Sequence, residues 1–74
     1  MKELEKLARV QIALDTMDPA EEKYDDAIVA FCRELIKLSD SEYSEFAGIL
    51  TALTGDVLYS PFNREDARKI LEEV

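Results

Sequence analysis

The side chains able to do chemistry in this sequence are carboxylates. Six fall in one stretch, Asp15, Asp18, Glu21, Glu22, Asp25 and Asp26, with Lys23 the only cation among them. Glu21 with Asp25, and Glu22 with Asp26, stand four residues apart, so a helix here sets like charges side by side at a cost of a few tenths of a kcal/mol. Two uses fit the pattern. The carboxylates complement the positive end of a helix that starts in this segment, or they form a docking patch for Arg and Lys of a partner, with Asp18, Glu22, Asp25 and Asp26 as its candidates. Acid–base catalysis fits poorly, because it needs a group tuned near neutral pH and held in a cleft. The chain has no histidine, and this spacing leaves the carboxylates on a solvated face. Cys32 is the only cysteine. It cannot form a disulfide within the chain or close a tetrahedral zinc site, and mid-helix on an apolar row it reads as a small buried hydrophobe. No glycine-rich phosphate loop and no calcium loop is present. No catalytic residue, metal or cofactor is expected.

A serine sits in a more suggestive context. Asp40-Ser41-Glu42 resembles, for two of three residues, the Asp-Ser-Leu of acyl carrier proteins, which are acidic helical bundles of this size with a modified serine at a helix start. The resemblance implies Ser41 as a site for a prosthetic group. It departs at the third residue, and the long first loop of that family is replaced here by helix-forming sequence. A helix-capping role accounts for the Asp-Ser pair on its own.

Seventeen acidic against nine basic residues give a net charge of −8. Phosphate contact requires clustered Lys and Arg, so direct nucleic-acid binding is disfavoured, as is an anionic membrane surface. No apolar run approaches the ~18 residues of a membrane span, and the opening "MKELEKLARV" reads as charged helix rather than a signal sequence. The expectation is a cytoplasmic chain with one domain over 1–74. A domain this small buries only about 60% of its unfolded surface, so oligomerisation or tight helix packing must support it.

The elements follow from a single period. Leu7, Val10, Leu14 and Met17; Ile28, Phe31, Leu35 and Leu38; and Tyr43, Phe46, Leu50, Leu53 and Val57 are spaced three or four apart, as in an amphipathic helix. Asp18-Pro19-Ala20-Glu21 and Ser39-Asp40-Ser41-Glu42 read as capping boxes, the second with Leu38 and Tyr43 as its hydrophobic staple. A last helix starts near Asn63 and carries Ala67, Ile70, Leu71 and Val74 on one side. Helices are therefore placed at about 2–16, 19–38, 40–54 and 63–73. The second would be roughly 30 Å long. The short links make neighbours antiparallel, giving an all-α, compact antiparallel bundle of three main helices plus a short C-terminal fourth. The expected core is Leu7, Val10, Leu14, Ile28, Phe31, Leu35, Phe46, Leu50, Leu53 and Ile70.

Three features exceed what a simple bundle needs. Ile12, with Ala8 beside it, falls almost opposite the stripe of the first helix, and a second row, Val29-Cys32-Ile36, widens the apolar arc of the second to about 200°. The back of the third carries Ser41, Ser44, Gly48, Thr51 and Ala52, where Gly48 costs about 1 kcal/mol relative to alanine and suggests close approach by another backbone. The connection "TGDVLYSPFN" (54–63) holds Val57, Leu58, Tyr59 and Phe62. Val57 and Leu58 are expected inside, and Phe62 as a staple for the last helix. Tyr59, and Phe62 beside it, are candidates for a partner-binding edge, since loops on a rigid scaffold gather binding groups. A homodimer or higher oligomer is expected, through the surplus apolar surface of the second helix or through the small-residue face of the third, with Ser44, Gly48 and Ala52 as candidates. The function expected is that of a small acidic non-catalytic protein acting through protein–protein interaction, as an inhibitor, adaptor or regulatory subunit of the size and charge of small phage-type inhibitors. The alternatives are a self-assembling homo-oligomer and, further off, a carrier modified at Ser41.

Overall fold

The computed structural model describes residues 2–74. They form four helices, α1 (Lys2–Thr16), α2 (Glu22–Leu35), α3 (Asp40–Thr54) and α4 (Arg64–Glu72), and no strand. α1 packs on α2 and on α3, and α4 packs on α2. Leu4 and Leu7 near the start of α1 share a hollow with Glu34 at the end of α2, with Leu38 in the link that follows and with Glu42 at the start of α3. Ile12 and Ala13 near the end of α1 share another with Leu53 near the end of α3. α1 and α2 are therefore antiparallel, and α3 returns in the direction of α1, as the short links require.

Phe46, Leu35, Leu50 and Cys32 are the largest fully buried side chains, joined in the core by Leu4, Ala8, Leu14, Phe31 and Ala67. Each large aliphatic or aromatic side chain so buried contributes about 1.5–3 kcal/mol. Phe31 holds the centre, tilted against Phe46 at 6.4 Å and edge-on to Phe62 at 6.1 Å.

Several expected features differ. α2 has 14 residues, about 21 Å at 1.5 Å per residue. Asp18 does not cap it. The Asp18 carboxylate accepts the Ala20 N–H at 3.0 Å and its carbonyl accepts the Glu21 N–H at 3.0 Å, so the side chain closes a separate turn in competition with the helix. Glu21 becomes the N-cap, without a side-chain cap bond. At the other end, Lys37 and Leu38 bond back three residues to Glu34 and Leu35, a tightened last turn that brings Leu38 against the core. α3 behaves as expected, with the Ser39/Glu42 capping box complete, and α4 is capped by Asn63, whose Oδ1 accepts the Glu65 and Asp66 N–H groups.

α1 is rotated from the expected face. Its buried residues are Leu4, Ala8, Gln11 and Leu14. Leu7 and Met17 are half-buried, and Val10 is 40% exposed. Ala8 is thus core rather than surplus, and Ile12 packs against the core edge. The polar residue on this buried face, Gln11, explains the rotation, because a segment of the α3–α4 connection binds it. Leu53 is 37% exposed and Val74, beyond the end of α4, is 76% exposed, so neither is core. Ile28 and Ile70 are half-buried against it. Gly48 is not packed against another helix of the monomer. It is exposed, and a Cβ built there meets nothing within 4 Å, so no backbone of this chain approaches it.

Arg64 ties the start of α4 to the α2–α3 junction. Its guanidinium donates to the Leu38 carbonyl at 3.1 Å and to the Asp40 carboxylate at 2.7 Å, and lies 4.4 Å from the Tyr43 ring centroid. Asp40's side chain is 95% exposed, so the ion pair itself is worth little. The bond to a helix-end carbonyl and the cation–π contact carry the effect.

Candidate protein-binding surface

The connection between α3 and α4 is a strap held to α1 and α3 by side chains. Gly55 begins it, in the left-handed conformation at φ 68 with its N–H bonded to the Thr51 carbonyl at 2.8 Å. This ends the helix in the manner glycine favours, so Val57 does not extend α3 although it keeps the period. Asp56 then folds a tight turn. Its Oδ1 accepts the Leu58 N–H at 2.9 Å, and its carbonyl accepts the Tyr59 N–H at 3.2 Å.

After the turn the chain is clamped. The Tyr59 hydroxyl donates to the Asp15 carboxylate. Gln11 Nε2 donates to the Ser60 carbonyl at 3.0 Å, and its Oε1 accepts the Phe62 N–H at 2.9 Å. The Tyr43 hydroxyl donates to the Phe62 carbonyl at 2.7 Å. Between Ser60 and Phe62 lies Pro61, which has no N–H to satisfy. One primary amide, 4% exposed, therefore serves the strap as a neighbouring strand would, accepting one N–H and donating to one carbonyl. Both bonds fix the orientation of the Gln11 amide.

The clamp holds Tyr59, Pro61 and Phe62 half-buried, while the turn before it projects outward. Val57 is 82% and Leu58 85% exposed, contrary to their expected place inside. Their backbone is fixed on one side by the end of α3 and on the other by Asp15 and Gln11, so they cannot fold inward without breaking those bonds.

The Tyr59–Asp15 bond sets this tip at the C-terminal end of α1, where the acidic segment begins. Asp15, Asp18, Glu21, Glu22, Asp25 and Asp26 are all exposed, and the ion pairs among the described residues, Arg9–Glu5, Lys37–Glu34 and Arg64–Asp40, lie elsewhere. The strap and the acidic segment, candidates on separate grounds in the sequence, thus meet through Tyr59. Phe62 is half-buried against the core, its ring edge-on to Phe31. Ser44, Gly48 and Ala52 form an exposed row on α3. Ser41 is exposed in the first turn of α3, where Ser39 rather than Ser41 supplies the cap.

Burial, then the bond to Asp15, push the Tyr59 phenol above its ordinary range, with Gln11 opposing. Burial raises the Cys32 thiol, so it is held as neutral thiol. Among the described residues no group of three or more His, Cys, Asp or Glu could hold a metal ion, and no helix is long and apolar enough to cross a membrane.

Gln11 was invisible to periodicity because it is polar. The available signal was its spacing from Leu4, Ala8 and Leu14, which puts one amide on an otherwise apolar row. Gly55 followed by Asp56 was the corresponding sign that α3 stops before Val57.

No protein-family model, curated protein or solved structure matches this chain.

Proposed function

We propose that this chain is a small non-catalytic binding protein, an inhibitor, adaptor or regulatory subunit, that engages a partner protein through the strap tip and the carboxylates beside it. The observation that supports this most is the pair Val57 and Leu58, more than four-fifths exposed on a backbone anchored at both ends. Single exposed aliphatics are ordinary. Two adjacent ones on a fixed turn present a preorganised apolar anchor, and preorganisation lowers the ordering cost of association. Asp15, Asp18, Glu22, Asp25 and Asp26 select a partner with an apolar pocket and a basic rim, and steer its approach. Tyr59 holds the tip in place and lends the edge of its ring.

Self-assembly is the second reading. It draws on the exposed Ser44-Gly48-Ala52 row, whose small side chains permit a close helix–helix approach. Charge opposes it, since each copy carries −8, and like-charged bodies repel within the Debye length of about 8–10 Å at moderate salt. Light scattering on the purified chain separates the two. The hetero-partner reading predicts a monomer of 8.4 kDa at both low and high salt. A stable oligomer disrupted by Gly48→Leu but not by Val57→Ser/Leu58→Ser would transfer the function to self-assembly through α3.

A further inference from the structure

At the other end of the molecule, the first turns of α1, the last turn of α2 and the start of α3 enclose an open groove of about 340 Å³. Leu4, Leu7, Val10 and Leu38 form its apolar floor, and Glu3, Glu34 and Glu42 stand on its rim with Lys6. We propose that this groove seats about two turns of an amphipathic helix from a partner protein, apolar on the seated face and basic on its flanks.

Length, shape and charge set the occupant. From Glu3 to Val10 the groove follows α1 for seven residues, about 10 Å or two helical turns, which matches apolar anchors at i, i+3 or i+4, and i+7 in a helix-in-groove complex. Its volume lies at the small end of the range for binding pockets, enough for a few aliphatic side chains. It is open to solvent on one side, so a helix can be seated from outside. The rim carries three carboxylates and one ammonium. Glu34 is shared with Lys37 at 3.1 Å, and one oxygen of Glu42 accepts the Ser39 N–H at 2.9 Å, so each has a further oxygen for an incoming cation. Glu3 stands on the α1 wall and Glu34 and Glu42 on the opposite one, so Lys or Arg on both flanks of the helix find partners. A second copy of this chain is a poor occupant, because α2, α3 and α4 each expose more carboxylates than cations and α1 exposes as many of one as of the other, so none of its helices offers basic flanks to that rim. The groove is independent of the strap tip and shares no residue with it.

The test uses the whole chain, labelled with ¹⁵N, and a synthetic helical peptide with leucines at i, i+3, i+4 and i+7 and lysines elsewhere. Two control peptides have the leucines scrambled, or every lysine replaced by glutamate. The groove predicts saturable binding of the first peptide, with amide shifts concentrated at Leu4, Leu7, Val10 and Leu38. It also predicts at least about tenfold weaker binding of both controls and of the first peptide to the Val10→Asp variant. Val10 is 40% exposed, so this variant keeps its fold, which its own amide spectrum verifies. Val57→Ser/Leu58→Ser leaves the affinity unchanged, so the groove and the strap tip stand or fall separately. Absence of saturable binding, equal binding of either control, shifts centred on 56–59, or unchanged affinity in Val10→Asp would each overturn the proposal.

Discussion

Replacing Gln11 with leucine tests whether one amide holds the strap. The change keeps the size of the side chain and its place on α1, but removes both the donor to Ser60 and the acceptor for Phe62. Each hydrogen bond lost costs about 0.5–1.5 kcal/mol net, and a partly buried N–H left without a partner adds about 1–3 kcal/mol. The added apolar surface of leucine returns part of this, up to about 1–2 kcal/mol. The expected net loss is about 2–4 kcal/mol, a large part of the ~5 kcal/mol available to a small domain. Urea unfolding followed by far-UV circular dichroism measures the loss, and hydrogen exchange of the Phe62 amide locates it. Exchange at Phe62 should accelerate more than at Phe46 or Leu50, because the strap opens before the core. The Gln11→Glu variant adds a signature no cavity would give. At neutral pH its buried carboxylate faces the Ser60 carbonyl, which raises its folded pKa. Its deficit should therefore shrink as pH falls through that raised value and the protonated carboxyl regains a donor. A loss in Gln11→Leu below about 0.5 kcal/mol, the range of an ordinary surface substitution, with Phe62 exchange unchanged, would refute the clamp.

The two glycines should respond in opposite senses. Gly48→Ala should stabilise by up to about 1 kcal/mol, the helix-propensity difference, because its Cβ meets nothing within 4 Å. Gly55→Ala should destabilise by about 1–2 kcal/mol, the cost of a left-handed L-residue, because Gly55 sits at φ 68. Thermal unfolding of the pair checks both signs at once. Tyr59 makes stability fall at alkaline pH. Its phenol is raised in the folded state by burial and by Asp15, so its contribution is complete below the unfolded value near 10 and is lost as pH rises through the folded value. The stability difference between the wild type and Tyr59→Phe, measured by urea at pH 7 and above pH 10, should therefore narrow at the higher pH; a constant difference would deny the Tyr59–Asp15 bond that role.

The helices were legible where local rules acted alone. The Ser39 box, the Asn63 cap and the Phe46/Leu50 stripe depend on residues within a turn or two of one another, and the structure keeps them. One local reading failed, since Asp18 closes a turn on Ala20 instead of capping α2, and the rest of what was not legible came mostly from contacts far apart in sequence. Gln11 bonds residues 49 and 51 positions away, and a polar side chain gives no periodic signal that it is to be buried. Binding the strap there turns α1 so that Leu4 and Ala8 go inward and Val10 outward. Val57 shows the converse, a residue that keeps the helical period after the helix has ended, because Gly55 decides the stop and periodicity does not register it. For the candidate surface, the acidic segment and Tyr59 could each be picked out, but only the Tyr59–Asp15 contact shows that they share one end of the molecule.

The most direct test of the strap tip as a binding surface is site-specific photocrosslinking in the cells that make this protein. A photoreactive amino acid is placed at Leu58, or as a control at Ala30, which is exposed on α2. The strap tip predicts one discrete adduct from position 58, of the same mass in repeated trials. The adduct should be absent from position 30 and diminished when Asp15 and Asp18 are changed to lysine in a chain shown still to be folded. Equal adducts from both positions, no adduct from position 58, or an adduct indifferent to the two charge reversals would contradict it.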